Sequence, residues 1–123
     1  MSNKIRDYTS YIGRSLSDLL ILGSLQEEEN LSGYHIIKKI KKVSQGSIKF
    51  RAGTIYPRIE KLFESGLLSK TIEEDTSSSD AVRQTSTYSL SQKGKEYLLD
   101  KTHEWHTLQE NINKILPPKE RKL

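Results

Sequence analysis

Residues 16–25, LSDLLILGSL, are apolar on nearly every side of a helix, and a helix of that kind has to be covered all round. A chain of 123 residues makes one domain with a modest core. Only 33% of it is hydrophobic against 29% charged, so its own residues are short of cover. One flank of Leu16, Leu19, Leu20, Leu22 and Leu25 is therefore expected to face a second copy of the chain. Ser15 followed by Asp18 has the spacing of a capping box and opens this helix. Residues 1–14 ahead of it are polar and read as a partly ordered arm, with Tyr8, Tyr11 and Ile12 as docking residues.

Several classes of protein are set aside on the same page. No apolar run approaches the about 20 residues that cross a bilayer, and the opening MSNKIRDY lacks the apolar core of a signal peptide. A cytoplasmic location with no membrane partner is expected. The absence of cysteine excludes disulfides, thiolate metal sites and a cysteine nucleophile. His103, Glu104 and His106 form HEWH, which lacks the i,i+4 histidine spacing of a zinc helix and has no third ligand nearby. No catalytic triad order, phosphate-binding glycine loop or isolated carboxylate pair is present. The expectation is a protein that is not an enzyme and carries no cofactor and no metal.

The net charge of +4 matters for where it lies. Residues 30–59 contain no Asp or Glu, yet hold Lys38, Lys39, Lys41, Lys42, Lys49, Arg51 and Arg58. Such segregation reads as an anion-facing surface, and lysines with few clustered apolar partners favour a phosphate backbone over a membrane.

The spacing predicts a second helix over 33–43, capped by Asn30 or Ser32, with Ile36, Ile37 and Ile40 buried and Lys38, Lys39, Lys41 and Lys42 in water. A short strand is expected at 48–50. Residues 51–66, RAGTIYPRIEKLFESG, follow as a third helix: Ile55, Ile59, Leu62 and Phe63 form its inner side, and Thr54, Tyr56, Arg58 and Lys61 point away. Thr54 is placed as its cap, Pro57 in its first turn and Gly66 at its end. Residues 67–75 and 85–91 read as strands joined by a Ser/Asp-rich tip. Ser91 then caps a last helix that Pro117 and Pro118 terminate. The fold class is mainly α with a small β-hairpin, a winged helix-turn-helix plus a C-terminal dimerisation helix. Residues 1–14 form the arm, 15–90 the winged helix, 91–116 the dimerisation helix and 117–123 a charged tail.

LLILGSL, SGYHIIKKI, GTIYPRIEKLFESGLL and TSTYSLSQKGKEYL, in this order and at these intervals, resemble the PadR family of transcriptional regulators, in its short subfamily with one C-terminal helix. The likeness spans about residues 15–115. It implies a homodimer of winged helices, usually a repressor, acting on double-stranded DNA. DNA contacts implied by the family fall on Ser32 and Tyr34, on Gly53, Thr54, Tyr56, Pro57, Arg58 and Lys61, and on the wing. There DTSSSDAVRQ offers only Arg83 against Asp75 and Asp80. Arg58 and Lys61 are expected to hold DNA, with Lys49, Arg51 and the second-helix lysines Lys38, Lys39, Lys41 and Lys42 adding non-specific attraction. The competing class is a winged helix used for protein interaction, with the lysines as ordinary surface.

Leu98, Trp105 and Ile112 recur every seven residues, with Leu108 and Ile115 between. This is a coiled-coil-like seam for two-fold pairing, although packing on the chain's own domain has the same spacing. Trp105 has two readings. It fills the interface, or, as the resemblance implies, it stacks on a planar aromatic effector at the dimer centre.

Overall fold

A computed structural model describes residues 6–75 and 83–119. After a 3-10 turn at Thr9–Tyr11 come α1 (Arg14–Ser24), α2 (Gly33–Val43), α3 (Ala52–Glu64), β1 (Leu68–Asp75), β2 (Arg83–Leu90) and α4 (Gln92–Ile115). The two strands are antiparallel, with Leu68 opposite Leu90 and Asp75 opposite Arg83. Residues 76–82, the expected wing tip, lie outside the described residues, as does the side chain of Arg83. No helix among the described residues is long and apolar enough to cross a membrane.

The core is what α1 was expected to demand. Ile21 and Leu22 have no exposed surface and meet Ile36, Ile55 and Ile59 from α2 and α3. Leu22 and Leu25 thus belong to the chain's own core, which corrects their place on a partner-facing flank. Leu16, Leu19 and Leu20 remain half-buried, beside α4.

Two caps form where expected. The Ser32 Oγ accepts from His35 N at 3.2 Å and the Ser91 Oγ from Gly94 N at 2.9 Å. The capping box at α1 does not: Gly13 is the N-cap, and Asp18 is directed toward α3 instead. At α3 the helix begins three residues earlier than a Thr54 cap requires, with Arg51 as N-cap. Pro57 is therefore the sixth helical residue. Its missing N–H leaves the Gly53 carbonyl without an intrahelical donor, and the exposed position gives that carbonyl access to water.

Gly66, at φ 80°, closes α3 with a Schellman pair, Leu67 N–H to Leu62 O at 3.0 Å and Gly66 N–H to Phe63 O at 2.9 Å. Phe63 itself is 37% exposed and outside the core, its ring covered by the Lys70 ammonium at 5.1 Å. Residues 48–50 form no strand. A third strand fragment occurs instead at Leu31, which exchanges two backbone hydrogen bonds with Tyr88, at 3.1 and 2.8 Å.

Candidate nucleic-acid interface

On α3, core residues Ile55, Ile59 and Leu62 define the inner side. Helical geometry then places Gly53, Pro57 and Lys61 opposite, with Thr54 beside them, and all four are exposed. A side-chain carbon at Gly53 would meet nothing within 4 Å, so no internal packing demands a glycine there. Gly33 is the opposite case: its added carbon would lie 2.7 Å from the Tyr56 ring. Glycine at the start of α2 therefore lets that ring lie across it and ties α2 to α3.

Arg58, expected to hold DNA, is engaged within the domain. Its guanidinium forks onto Asp18 of α1, Nε to Oδ1 at 2.9 Å and Nη2 to Oδ2 at 2.5 Å. Side-chain exposures are only 23% and 18%. It lies between α3 and α1, not beside Lys61 on the outer face. Lys39 is likewise engaged, on the Ser24 carbonyl at 2.6 Å and Glu28 at 3.1 Å. Lys38, Lys41, Lys42, Lys49, Arg51 and Lys61 form no salt bridge among the described residues. Tyr34 is exposed, with the Lys38 ammonium 5.3 Å from its ring centre.

The nearest acid on α3, Glu60, turns toward the wing. One carboxylate oxygen accepts from the Tyr88 hydroxyl at 2.6 Å and from Lys70 Nζ at 2.8 Å. The Lys70 bond, then the Tyr88 bond, holds Glu60 below its ordinary value of 4.5, while burial and the Glu60 bond raise the Tyr88 phenol. Between α2, α3 and β2 a cavity of about 410 Å³ opens, edged by Ser32, Tyr34, Tyr56, Glu60, Thr85 and Ser86. The helix face, the start of α2 and the wing thus share one surface, on which Glu60 is paired with Lys70, while Asp18 pairs with Arg58 between α1 and α3.

The Glu60 junction predicts an acid-sensitive wing. A carboxylate with a depressed folded pKa stabilises fully above its unfolded value, and that stability is lost as pH falls through the lower folded value. Glu60→Gln is expected to be less stable than the parent near neutral pH, with the gap closing below the ordinary carboxylate range. Urea midpoints from about pH 7 down to about pH 3 check it; a constant gap would remove the carboxylate from the account.

At the other side of the domain, Trp105 is half-buried against α1. With Leu16, Leu19 and Leu20 it lines a cavity of about 360 Å³, floored by Leu98. Leu98 is buried in the chain's own core, correcting its place on the seam. Leu108 lies beside Trp105, Leu16 and Leu19 on a neighbouring groove. From His106 to the end of α4 every residue is exposed, including Leu108, Ile112 and Ile115. Sequence reasoning missed the pairings of Asp18, Lys70 and Tyr88, whose partners are 40, 10 and 28 residues away, too far for a local signal.

Residues 21–100 match the family model described as the transcriptional regulator PadR-like family. Among solved structures, a PadR-like transcription factor from Bacteroides fragilis is 26% identical with a TM-score of 0.70, covering 86% of this chain and 95% of that one. The smu.1704 protein of Streptococcus mutans UA159 is 26% identical at a TM-score of 0.69, covering 91% and 96%. A transcriptional regulator from Clostridium thermocellum is 26% identical at 0.72, covering 82% and 90%. No curated protein sequence matches significantly.

Proposed function

The chain belongs to the PadR-like family of transcriptional regulators, and on that premise we propose that it is a repressor that binds a roughly palindromic operator as a homodimer. Members of that family are DNA-binding regulators, not enzymes. In this reading α3 enters the major groove with Gly53, Thr54, Pro57 and Lys61 foremost. Ser32, Tyr34 and Tyr56 meet the adjoining backbone, and Lys38, Lys49 and Arg51 neutralise phosphates. Arg83 on the wing is the remaining candidate contact.

The observation that carries the reading is the surface around Gly53. Among the described residues Arg51 and Lys61, at either end of α3, form no salt bridge, a side-chain carbon at Gly53 would meet nothing within 4 Å, and a bare glycine lets a duplex approach closely. Pairing is supported by the uncovered second half of α4. Two copies joined through Trp105, Leu108, Ile112 and Ile115, with Leu16, Leu19 and Leu20 alongside, would remove that apolar stripe from water. Two-fold symmetry would set the two α3 helices about 34 Å apart, one turn of DNA. Trp105, at the rim of the apolar cavity, would then offer a planar aromatic effector two facing indoles, and release of DNA would require the ligand to favour a different spacing of α3.

Anisotropy titration against duplexes selected from a random pool tests the DNA reading. Affinity is expected to fall by about 0.9 log unit per contacted phosphate for each decade of salt. The Thr54→Ala/Lys61→Ala variant should lose about 1–3 kcal/mol if these residues read base edges. Equal affinity of that variant and the parent would remove α3 from the interface. Salt-independent capture of a protein would favour the interaction-module reading, and a monomeric mass at micromolar concentration would overturn the dimer.

A further inference from the structure

We infer that residues 6–13, ahead of α1, are a second DNA-contacting element, an arm held beside the start of α3 so that Arg6, Tyr8 and Tyr11 meet sugar–phosphate outside the groove that α3 occupies. This rests on the DNA reading of α3 and extends it to residues that neither charge segregation nor the family pattern marked. The attachment is specific. Tyr8 N–H donates to the Ser47 carbonyl at 2.7 Å, and Lys49 N–H donates to the Thr9 hydroxyl at 2.7 Å. Both bonds land on the connection that leads into α3. The Asp7 carboxylate shapes the turn by accepting from Thr9 N at 2.9 Å and from the Thr9 hydroxyl at 2.5 Å, and the Thr9 bonds keep it below its ordinary pKa.

What the arm buries and what it exposes point the same way. Ile12 packs against the core, which anchors the arm at its end nearest α1. Tyr8 and Tyr11 are 48% and 81% exposed, with ring centres 6.0 Å apart. Two neighbouring aromatic rings left in water, on backbone tied down by hydrogen bonds to Ser47 and Lys49 of the α2–α3 connection, serve no packing need of the arm itself. Between arm and helix lies a cleft of about 440 Å³ edged by Thr9, Ser10, Ser17, Lys49, Arg51 and Thr54, with Asp7 also on its wall. Hydroxyls and cations suit phosphate oxygens. The one carboxylate there already accepts two hydrogen bonds and lies near Lys49, so the cleft keeps a cationic balance. It is continuous with the α3 surface through Arg51 and Thr54. DNA-binding arms that precede a three-helix core and reach the backbone or groove next to the recognition helix work on this plan.

The test uses the full chain and a 30-base-pair duplex of random sequence, titrated by anisotropy over a range of NaCl concentrations. Arg6→Ala and Tyr11→Ala change exposed side chains and leave folding intact, as thermal melts will verify. Arg6→Ala is expected to weaken binding and to flatten the salt dependence by about 0.9 log unit per lost phosphate contact. Tyr11→Ala should weaken binding with less change in slope. Thr9→Ala, which releases the arm from Lys49, should reproduce the Arg6→Ala loss. If Lys61→Ala weakens binding while Arg6→Ala and Tyr11→Ala both match the parent in affinity and slope, the arm inference is overturned and the α3 reading stands. If Lys61→Ala is also without effect, the α3 reading fails with it.

Discussion

Gly94→Ala is expected to destabilise the protein by about 3 kcal/mol, at the upper end of what overpacking costs. The added carbon would lie 1.9 Å from the Leu67 carbonyl oxygen and 2.9 Å from its carbon. Backbone cannot rotate out of the way as a side chain can, so α4 or the α3–β1 turn has to move. That turn is clamped from three directions. The Ser91 hydroxyl donates to Gly66 O at 2.6 Å, Ser91 N–H to Leu67 O at 3.2 Å, and Lys93 Nζ to Ser65 O at 3.0 Å. Urea denaturation of the purified variant measures the loss. Ser91→Ala, which removes the cap and one clamp, should cost about 1–2 kcal/mol and serves as the internal scale. A Gly94→Ala loss smaller than that of Ser91→Ala would mean that α4 slides freely on its seat. Since α4 is the proposed dimer helix and α3 the proposed reading helix, in such a dimer this junction would also set how far apart the two α3 helices stand.

The second large effect is expected at the α1–α3 ion pair. Asp18→Ala should cost about 2–3 kcal/mol, above the 0–1 kcal/mol of a surface pair and below the loss for a fully buried one. Both side chains are mostly covered, at 18% and 23% exposure, and removal of the carboxylate leaves the guanidinium half-desolvated with two donors unmet. A double-mutant cycle with Arg58→Ala isolates the pair, and a coupling of about 1–2 kcal/mol is expected. The cycle also decides what Arg58 is for. If the arginine instead swung out to DNA, Arg58→Ala would lose operator affinity with little change in stability, and Asp18→Ala would keep or improve affinity by freeing it. The geometry leads to the other result, in which both variants lose stability and their DNA binding falls together as α3 loses its orientation.

Much of the architecture was legible because the signals were local. Ile36, Ile37 and Ile40 with Ser32 ahead of them mark α2 within its observed bounds, Gly66 marks the end of α3, and Ser91 the start of α4. These features depend on residues three or four positions apart, so helical geometry alone decides them. The start of α3 was misread for a related reason. Thr and Pro are favoured at cap and first turn, but those preferences are worth only about 1 kcal/mol, and the helix begins at Ala52 with Arg51 as N-cap.

The face of a helix is also periodic, and so the outward positions of Gly53, Thr54, Pro57 and Lys61 followed from the inward positions of Ile55, Ile59 and Leu62. Arg58 fell on the margin of that face. Only the approach of α1, bringing Asp18 from 40 residues away, shows its guanidinium engaged within the domain. The same holds for Glu60, whose partners Lys70 and Tyr88 come from the wing, and for Leu98, whose seven-residue spacing with Trp105 and Ile112 fits a partner and an internal core equally well. Sequence alone determined the order of the four helices and the hairpin, and the family, because each rests on near neighbours in the chain or on a pattern of residue types; the strand expected at 48–50 does not form, and the fragment at Leu31 was beyond it. Which cations stay available, which leucines are already covered and why Gly33 and Gly94 are glycines were decided by tertiary structure, because each depends on distances between segments that chain spacing does not specify.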